Sequence, residues 1–173
     1  AWPGPGAAPT PNGSIGPAAD TRNKPDLSAY YENIRTSDLT AGQPNWAGAT
    51  APNVGGYTNN NWTSTFGGTS GATPMVGGMS ALAIQMYTDH IFSNTPRVPG
   101  GSRFQNRPYA QTIKALMIAG ADMYAPTATN NRREHVGWGF PSLDGLYDRR
   151  DKIAIIPEDI TITQGATHTF QFE

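Results

Sequence analysis

The chain has 173 residues, of which 37% are hydrophobic, and its 20 glycines and 15 prolines predict a loop-rich domain with one core of ordinary size. Its 12 basic and 13 acidic residues leave a formal net charge of −1, which gives no electrostatic reason to expect nucleic acid or an anionic membrane as a partner. The chain has no cysteine, which excludes disulfides and thiolate metal sites, and no stretch reaches the length of a transmembrane helix.

Short strands followed by one long helix are predicted in the first half of the chain. Strand patterns occur at residues 26–29 and 33–36. Residues 70–89 predict a buried helix, because large apolar residues recur there at helical spacing: Met75, Met79, Leu82 and Met86. Gly77 and Gly78 each cost this helix about 1 kcal/mol relative to alanine, so we expect them to allow close packing of the helix on a sheet.

A second helix and a C-terminal β segment are predicted in the rest of the chain. Residues 109–119 form the helix, which Gly120 is expected to end and which has one apolar face: Ile113, Leu116 and Met117. A charged segment at residues 148–152 marks a boundary between a first domain, residues 1–150, and a second, residues 151–173. Apolar and polar residues alternate in the second domain around a glycine turn, which predicts a hairpin of opening β-strands.

Ser70 lies between a glycine-bearing turn and the start of the long predicted helix. The first N–H groups of a helix have no partner within the helix and lie at the positive end of its dipole, so they can stabilise an oxyanion beside the serine hydroxyl. Gly68 and Gly71 let a substrate backbone approach closely, and Pro74 is expected within the first turn, where a missing N–H is tolerated. Serine is also a common helix N-cap, and judged on this property alone capping is the more frequent role.

Three ordered segments resemble those of the subtilisin-like serine proteases, the subtilases. Residues 68–78 are similar to the family's serine box, in which the serine is the nucleophile. Upstream, residues 16–29 resemble a family stretch that ends in Lys-Pro-Asp and an aliphatic residue; downstream, residues 113–122 and 136–139 resemble a family helix and its closing Gly-x-Gly segment. Because the three segments occur in the family's order, together they are far more specific evidence for the resemblance than any one of them alone.

The resemblance implies a subtilisin-like α/β fold, with three α/β/α layers around a mainly parallel sheet, followed here by the start of a β-sandwich extension. It implies a serine endopeptidase that hydrolyses polypeptides through an acyl-enzyme. Ser70 would be the nucleophile, and the backbone N–H of Ser70, with that of Thr69, would stabilise the oxyanion. A further set would border the leaving-group side of the cleft: Phe66, Gly67 and Gly68.

The resemblance also bears on location and cofactors. It implies secretion, no cofactor for the chemistry, and structural calcium, which is frequent in the family. Oxygen ligands in loops at residues 59–61 or 130–131 would suit calcium, but their spacing fits no defined calcium-loop motif, and we assign no metal site.

The resemblance implies a catalytic triad, and two of its members, the aspartate and the histidine, are not found before Ser70. The family's triad follows the chain order Asp, His, Ser, and residues 1–69 contain no histidine. Asp20, Asp26 and Asp38 lie in or just after the segment that precedes the serine box. We therefore expect this chain to be the C-terminal part of a catalytic domain, and an N-terminal segment of the same protease to supply the aspartate, the histidine and the oxyanion asparagine. Alone, the chain is expected to be inactive.

Two departures from the family pattern concern the surroundings of Ser70. Gly71 stands where the family usually has Met or Phe, which predicts looser packing behind the nucleophile. The Ala-Pro-Gly that the family has after the counterpart of Asp26 is replaced, which predicts an altered loop: Ala29, Tyr30, Tyr31 and Glu32.

Alternatives from other classes remain open at this point. An α/β-hydrolase would combine Ser70 with a later aspartate, Asp122 or Asp144, and a later histidine, His135 or His168, although its elbow needs Gly-x-Ser-x-Gly after a buried strand. A non-catalytic protein would be a protease relative that has lost its triad, or a binding module with dispersed tryptophans: Trp2, Trp46, Trp62 and Trp138. These histidines and aspartates, like His90, more often have structural roles.

Overall fold

The computed structural model describes residues 13–37, 62–123 and 133–171, with the backbone alone at residues 62–65. Helices and strands are both present. The strands are β1 (Ile34–Ser37) and β2 (Trp62–Phe66), and the helices are α1 (Thr69–Thr88), α2 (Ala110–Ala119), α3 (Arg133–Val136), α4 (Leu143–Asp148) and a 3-10 turn (Arg150–Lys152). None of the helices in these described ranges is both long and apolar enough to cross a membrane.

The two strands form a small antiparallel sheet. Ile34 pairs with Phe66 and Ser37 with Trp62, and the register shifts between Ile34 and Thr36. The strand predicted at residues 33–36 is thus confirmed as β1. A mainly parallel sheet is not seen in the described part of the chain, whose strands are this antiparallel pair.

The strand predicted at residues 26–29 is wrong. Residues 26–29 do not form a strand that is hydrogen-bonded to a neighbouring strand. Their backbone is bonded instead to the loop after α3: Ser28 N donates to Gly139 O at 2.9 Å, and Trp138 N donates to Asp26 O at 2.8 Å. The apolar-polar alternation of these residues therefore reflects packing against a loop rather than membership of a sheet.

Helix α1 agrees with the predicted position of the long helix but begins one residue earlier, at Thr69. Pro74 is therefore the sixth helical residue, and its predicted place in the first turn is wrong. Because proline has no N–H, the carbonyl of Ser70 receives no helical hydrogen bond from position 74.

One face of α1 is open. A Cβ added at Gly77 or Gly78 would meet nothing within 4 Å, so among the described residues the predicted close packing of these glycines is wrong. Leu82 on the same helix is 52% exposed, whereas Ala83 and Tyr87 are buried. The buried stripe of α1 is thus narrower than its methionine spacing predicts.

Helix α2 confirms both its predicted span and its predicted core face. Ile113, Leu116 and Met117 are buried, and Gly120 N donates to Leu116 O at 2.9 Å, ending the helix where predicted. A Cβ at Gly120 would lie 2.8 Å from Leu146 Cβ, so glycine is required where α4 approaches the end of α2.

The chain divides into two compact units. The first contains residues 1–77 and 123–140, and the second contains residues 78–122 and 141–173; α1 belongs to both. The predicted domain boundary near residue 150 is a different division and stays a prediction.

In the second unit, a carboxylate occupies the N-terminus of α2. Glu158 Oε1 accepts hydrogen bonds from Tyr109 N at 2.7 Å and from Thr112 Oγ1, and Glu158 Oε2 lies 3.8 Å from a guanidinium nitrogen of Arg97. The Glu158 side chain is 5% exposed. Burial, and then the charge of Glu158, raise the pKa of the Tyr87 hydroxyl above its ordinary value. We call this arrangement the Glu158 cap.

The C-terminal segment contains the predicted turn but not the predicted hairpin. Gly165 has φ +82°, and Ala166 N donates to Thr163 O at 3.0 Å, which closes the turn. No strand occurs within residues 153–171. A two-stranded hairpin is marginal without a further layer to cover its apolar face, and Ile162 here is 61% exposed. The β-sandwich extension stays a prediction.

Candidate active site

A strand, a tight turn and a helix place Ser70 in an exposed position. β2 ends at Phe66 and α1 begins at Thr69. Between them, Gly68 has φ +78°, a conformation that favours glycine, and its carbonyl accepts a hydrogen bond from Gly71 N at 3.0 Å. Ser70 is therefore the second residue of α1, and its side chain is exposed.

The hydroxyl and the amide of Ser70 are both available to a ligand. Within the described residues, Ser70 Oγ has no hydrogen-bond partner, and no carbonyl accepts from the N–H of Thr69 or Ser70. The predicted nucleophile and the predicted oxyanion donors thus lie together at the start of one helix. The alternative role of Ser70 as an N-cap is not observed, because Ser70 is inside the helix and its hydroxyl accepts no backbone N–H.

The altered loop after Asp26 lies directly against the turn that precedes Ser70. Gly68 N donates to Tyr31 O at 2.7 Å. A Cβ at Gly67 would lie 2.5 Å from Tyr31 O and 3.4 Å from Glu32 Cα, so only glycine allows this approach. The loop in which the sequence departs from the family pattern therefore forms part of the wall of the site.

Gly71 does not loosen the packing behind Ser70. It is buried, and a Cβ built on it would collide with Ile34 Cδ1 and lie 3.4 Å from the Phe66 ring. The side chain of Ile34, from β1, fills the space that a larger residue at position 71 would take. The prediction of looser packing is wrong because the filling residue comes from a strand that is distant in sequence.

The first and last of the three family-like segments are bonded to each other. The buried hydroxyl of Ser28 donates to Val136 O at 2.8 Å. Gly137 has φ +62°, and a Cβ there would collide with the carbonyl of Asp26. These contacts, like the bond between Gly68 and Tyr31, lie within the first unit, which contains residues 16–29, 68–77 and 136–139 of the family-like segments; residues 113–122 belong to the second unit.

A cavity of about 550 Å³ opens beside Ser70. Its lining combines the altered loop with the glycine turn and the start of α1: Tyr31, Glu32, Asn33, Gly67, Gly68, Thr69 and Ser70. Of the residues predicted to border the leaving-group side, Gly67 and Gly68 line this cavity, whereas Phe66 packs beneath Gly71.

The histidines and aspartates weighed as alternatives occupy other positions. His90 Nδ1 lies 3.0 Å from Asn94 O, and Asp122 pairs with Arg149 at 3.5 Å. Asp144 is in the first turn of α4, and His168 lies against Phe170. His135 is in α3. Of these residues, His135 belongs to the same compact unit as Ser70, and it is not hydrogen-bonded to Ser70 within the described part of that unit.

Metal ligation is not indicated by these residues. The described ranges contain no group of three or more acidic or histidine side chains that could hold a metal ion. The loops at residues 59–61 and 130–131, where calcium ligands were expected, lie outside the described residues, as do Trp2 and Trp46.

An exposed serine at the start of a helix, preceded by a glycine turn and flanked by free amides, has the local geometry that a serine nucleophile and its oxyanion donors require. A family model described as "Subtilase family" matches residues 7–139, which is most of the chain, and the chain belongs to that family. At family level this assigns it to the serine proteases and indicates an α/β fold. No curated protein and no solved structure gives a significant match.

Sequence reasoning located Ser70 but missed two parts of its surroundings. Glu32 and Asn33 line the cavity, and Ile34 fills the space behind Gly71. The replacement of the family's Ala-Pro-Gly was the signal that could have indicated Glu32 and Asn33, because a changed loop in a family-like segment marks a changed surface. No sequence signal indicates the contact between Ile34 and Gly71, which exists only through strand pairing.

Proposed function

We propose that this chain supplies the nucleophile of a secreted serine endopeptidase. The observation that supports it best is the state of Ser70: it is exposed in the first turn of α1, and neither its hydroxyl nor its amide is used within the described residues. It occupies this position within the segment matched by the subtilase family model. Secretion is proposed from family membership.

In the proposed reaction, Ser70 Oγ attacks the scissile carbonyl of a polypeptide while its proton passes to a histidine. The N–H groups of Ser70 and Thr69 then stabilise the tetrahedral oxyanion. The histidine returns the proton to the leaving amine as the C–N bond breaks, leaving an acyl-enzyme, and water hydrolyses the ester by the reverse sequence. Gly67 and Gly68 would face the leaving-group side. No cofactor takes part in this chemistry.

The histidine is proposed to come from an N-terminal segment of the same protease that also bears the aspartate. The family's triad order puts both before the serine, and the histidines of this chain all follow Ser70: His90, His135 and His168. The open face of α1 is a surface that this segment would cover, since a Cβ built on Gly77 or Gly78 would meet nothing within 4 Å among the described residues and Leu82 is 52% exposed. Such covering would complete the three-layer α/β/α fold.

The effect of Gly77→Ala on the complete protease tests this docking surface. If the surface is covered closely, the added methyl group clashes and the melting temperature falls. If the surface stays open, the higher helix propensity of alanine stabilises the helix by up to about 1 kcal/mol and the melting temperature rises. Thermal unfolding of parent and variant measures the sign, and a rise contradicts the proposed covering.

The function itself is tested by hydrolysis of an unfolded protein substrate. The full-length protein is compared with its Ser70→Ala variant and with Ser102→Ala, which removes an exposed loop hydroxyl as a control. We expect cleavage by the parent and by Ser102→Ala and none by Ser70→Ala. Cleavage that survives in Ser70→Ala would place the nucleophile elsewhere, and peptide binding without cleavage by the parent would favour the non-catalytic relative.

A further inference from the structure

One acidic side chain lies in the wall of the cavity beside the nucleophile. Glu32 is the single charged residue in the described lining; the other lining residues have neutral side chains or none. The same lining includes Ser70, so whatever substrate residue enters this cavity lies next to the scissile bond.

The backbone fixes Glu32 relative to Ser70. The hydrogen bond from Gly68 N to Tyr31 O, 2.7 Å long, joins the residue before Glu32 to the turn before the nucleophile. On the other side, Asn33 has φ +56° and leads into β1, which pairs with the strand that ends at the same turn. The backbone of Glu32 is therefore held between two attachments to the segment that bears Ser70, and its side chain starts from a fixed point in the cavity wall.

The charge of Glu32 is not neutralised within the described residues. Several other acids of the chain have a basic partner at short range: Asp20 with Arg22, Asp26 with Lys24, Asp89 with Arg103, and Asp122 with Arg149. Glu32 is exposed and has no such ion pair in the described ranges. It can therefore pair with a cationic group of a ligand without first losing an internal partner.

We propose that Glu32 makes the enzyme prefer a lysine or arginine on the leaving-group side of the scissile bond, an inference that rests on the proposed protease function. The proposed reaction puts Gly67 and Gly68, which line the cavity, on the leaving-group side, and about 550 Å³ is enough space for a long basic side chain. A glutamate or aspartate at the same substrate position would face a like charge and be disfavoured.

The test uses the complete protease and peptides that are identical on the acyl side and carry Lys, Gln or Glu in the first two leaving-group positions. We expect kcat/KM to follow the order Lys, Gln, Glu. Glu32→Gln should lower the Lys-to-Gln ratio by about 3- to 5-fold, the size of one exposed ion pair, and Glu32→Lys should reverse the order. Asp148→Asn, the same charge change at an exposed acid that does not line the cavity, should leave the ratio unchanged.

A substrate with the same acyl side and a nitroanilide leaving group separates this inference from the proposed function. The anilide has no leaving-group residues, so parent and Glu32→Gln should hydrolyse it equally, which also shows that the variant is folded. A parent that hydrolyses neither anilide nor peptide contradicts the protease function. Equal anilide rates with an unchanged Lys-to-Gln ratio in Glu32→Gln, or a parent with no preference among the Lys, Gln and Glu peptides, overturn the role of Glu32.

Discussion

The N-termini of α1 and α2 have the same backbone chemistry and different occupants. At α1, the amides of Thr69 and Ser70 meet no acceptor among the described residues, and the Ser70 side chain is exposed. At α2, the buried carboxylate of Glu158 accepts from Tyr109 N and from the Thr112 hydroxyl. Both helix ends favour negative charge. The protein fills one with its own carboxylate and leaves the other open, and it is at this open end that the proposed reaction would place the oxyanion of a substrate.

Because of this difference, the filled end of α2 should contribute to stability, whereas the open end of α1 should matter for the proposed activity. A filled helix end contributes to folding because its orphan donors are satisfied in the native state. An open end contributes little to folding, since its donors are solvated with or without the native structure. Substitutions at the two ends should therefore affect different measurements.

The largest expected effect is on catalysis, at the open end. Ser70→Ala in the complete protease should lower kcat by about 10⁶-fold, the loss that follows removal of the serine of a working triad. The melting temperature should stay within the error of the parent, because the exposed hydroxyl has no described partner. Steady-state peptide hydrolysis and thermal unfolding of the same preparations make the check, and a large fall in melting temperature would contradict the assignment of an unused hydroxyl.

At the filled end, the expected effect is on stability. Glu158→Ala should lower the free energy of unfolding by about 2 kcal/mol, because it removes a buried, charged acceptor from the exposed Tyr109 N–H and the part-buried Thr112 hydroxyl. Glu158→Gln keeps one oxygen acceptor and should lose less, about 1 kcal/mol. Chemical denaturation measures both. A Glu158→Ala variant as stable as the parent would show that the cap contributes nothing.

Packing beneath the open end gives a third test. Gly71→Met, which introduces a residue common in the family, should lower the free energy of unfolding by about 1–3 kcal/mol because its side chain collides with Ile34. Adding Ile34→Ala should recover part of that loss by vacating the space, so a double-mutant cycle should show favourable coupling. Strictly additive losses would mean that the two residues do not share one space.

The smallest expected effect is on the pH dependence of stability, at the filled N-terminus of α2. Burial and the charge of Glu158 raise the pKa of Tyr87 in the folded protein, so folding favours its neutral form. Its contribution to stability is complete below the ordinary tyrosine pKa of about 10 and is lost as the pH rises from there through the folded-state pKa. Tyr87→Phe should therefore reduce the alkaline fall in unfolding free energy relative to the parent, as measured by chemical denaturation at a series of pH values. An alkaline fall equal to that of the parent would exclude this role of Tyr87.

Local patterns predicted the elements that depend on local sequence. α1 and α2 follow from apolar residues at helical spacing, and Ser70 lies at the helix start as its glycine turn indicated. The contacts that shape the site could not be predicted in this way. The approach of Tyr31 to Gly67, and of Ile34 to Gly71, depends on how two distant segments pair.

The two wrong strand predictions have a related cause. Residues 26–29 have a strand-like pattern, but their backbone groups bond to residues 136–139. Nothing in the local sequence indicates that these two segments are partners. The C-terminal segment has alternating apolar residues and a closed turn, but alternation alone does not supply the layer that a hairpin needs for its apolar face.

Covalent labelling of Ser70 tests the central claim most directly. A phosphonate serine probe is added to the complete protease and, separately, to the 173-residue chain alone, and peptide mass spectrometry locates the adduct. We expect stoichiometric labelling of Ser70 in the complete protease and none in the isolated chain, whose serine lacks its histidine base. Labelling of another residue in the complete protease, or rapid labelling of Ser70 in the isolated chain, would contradict that claim.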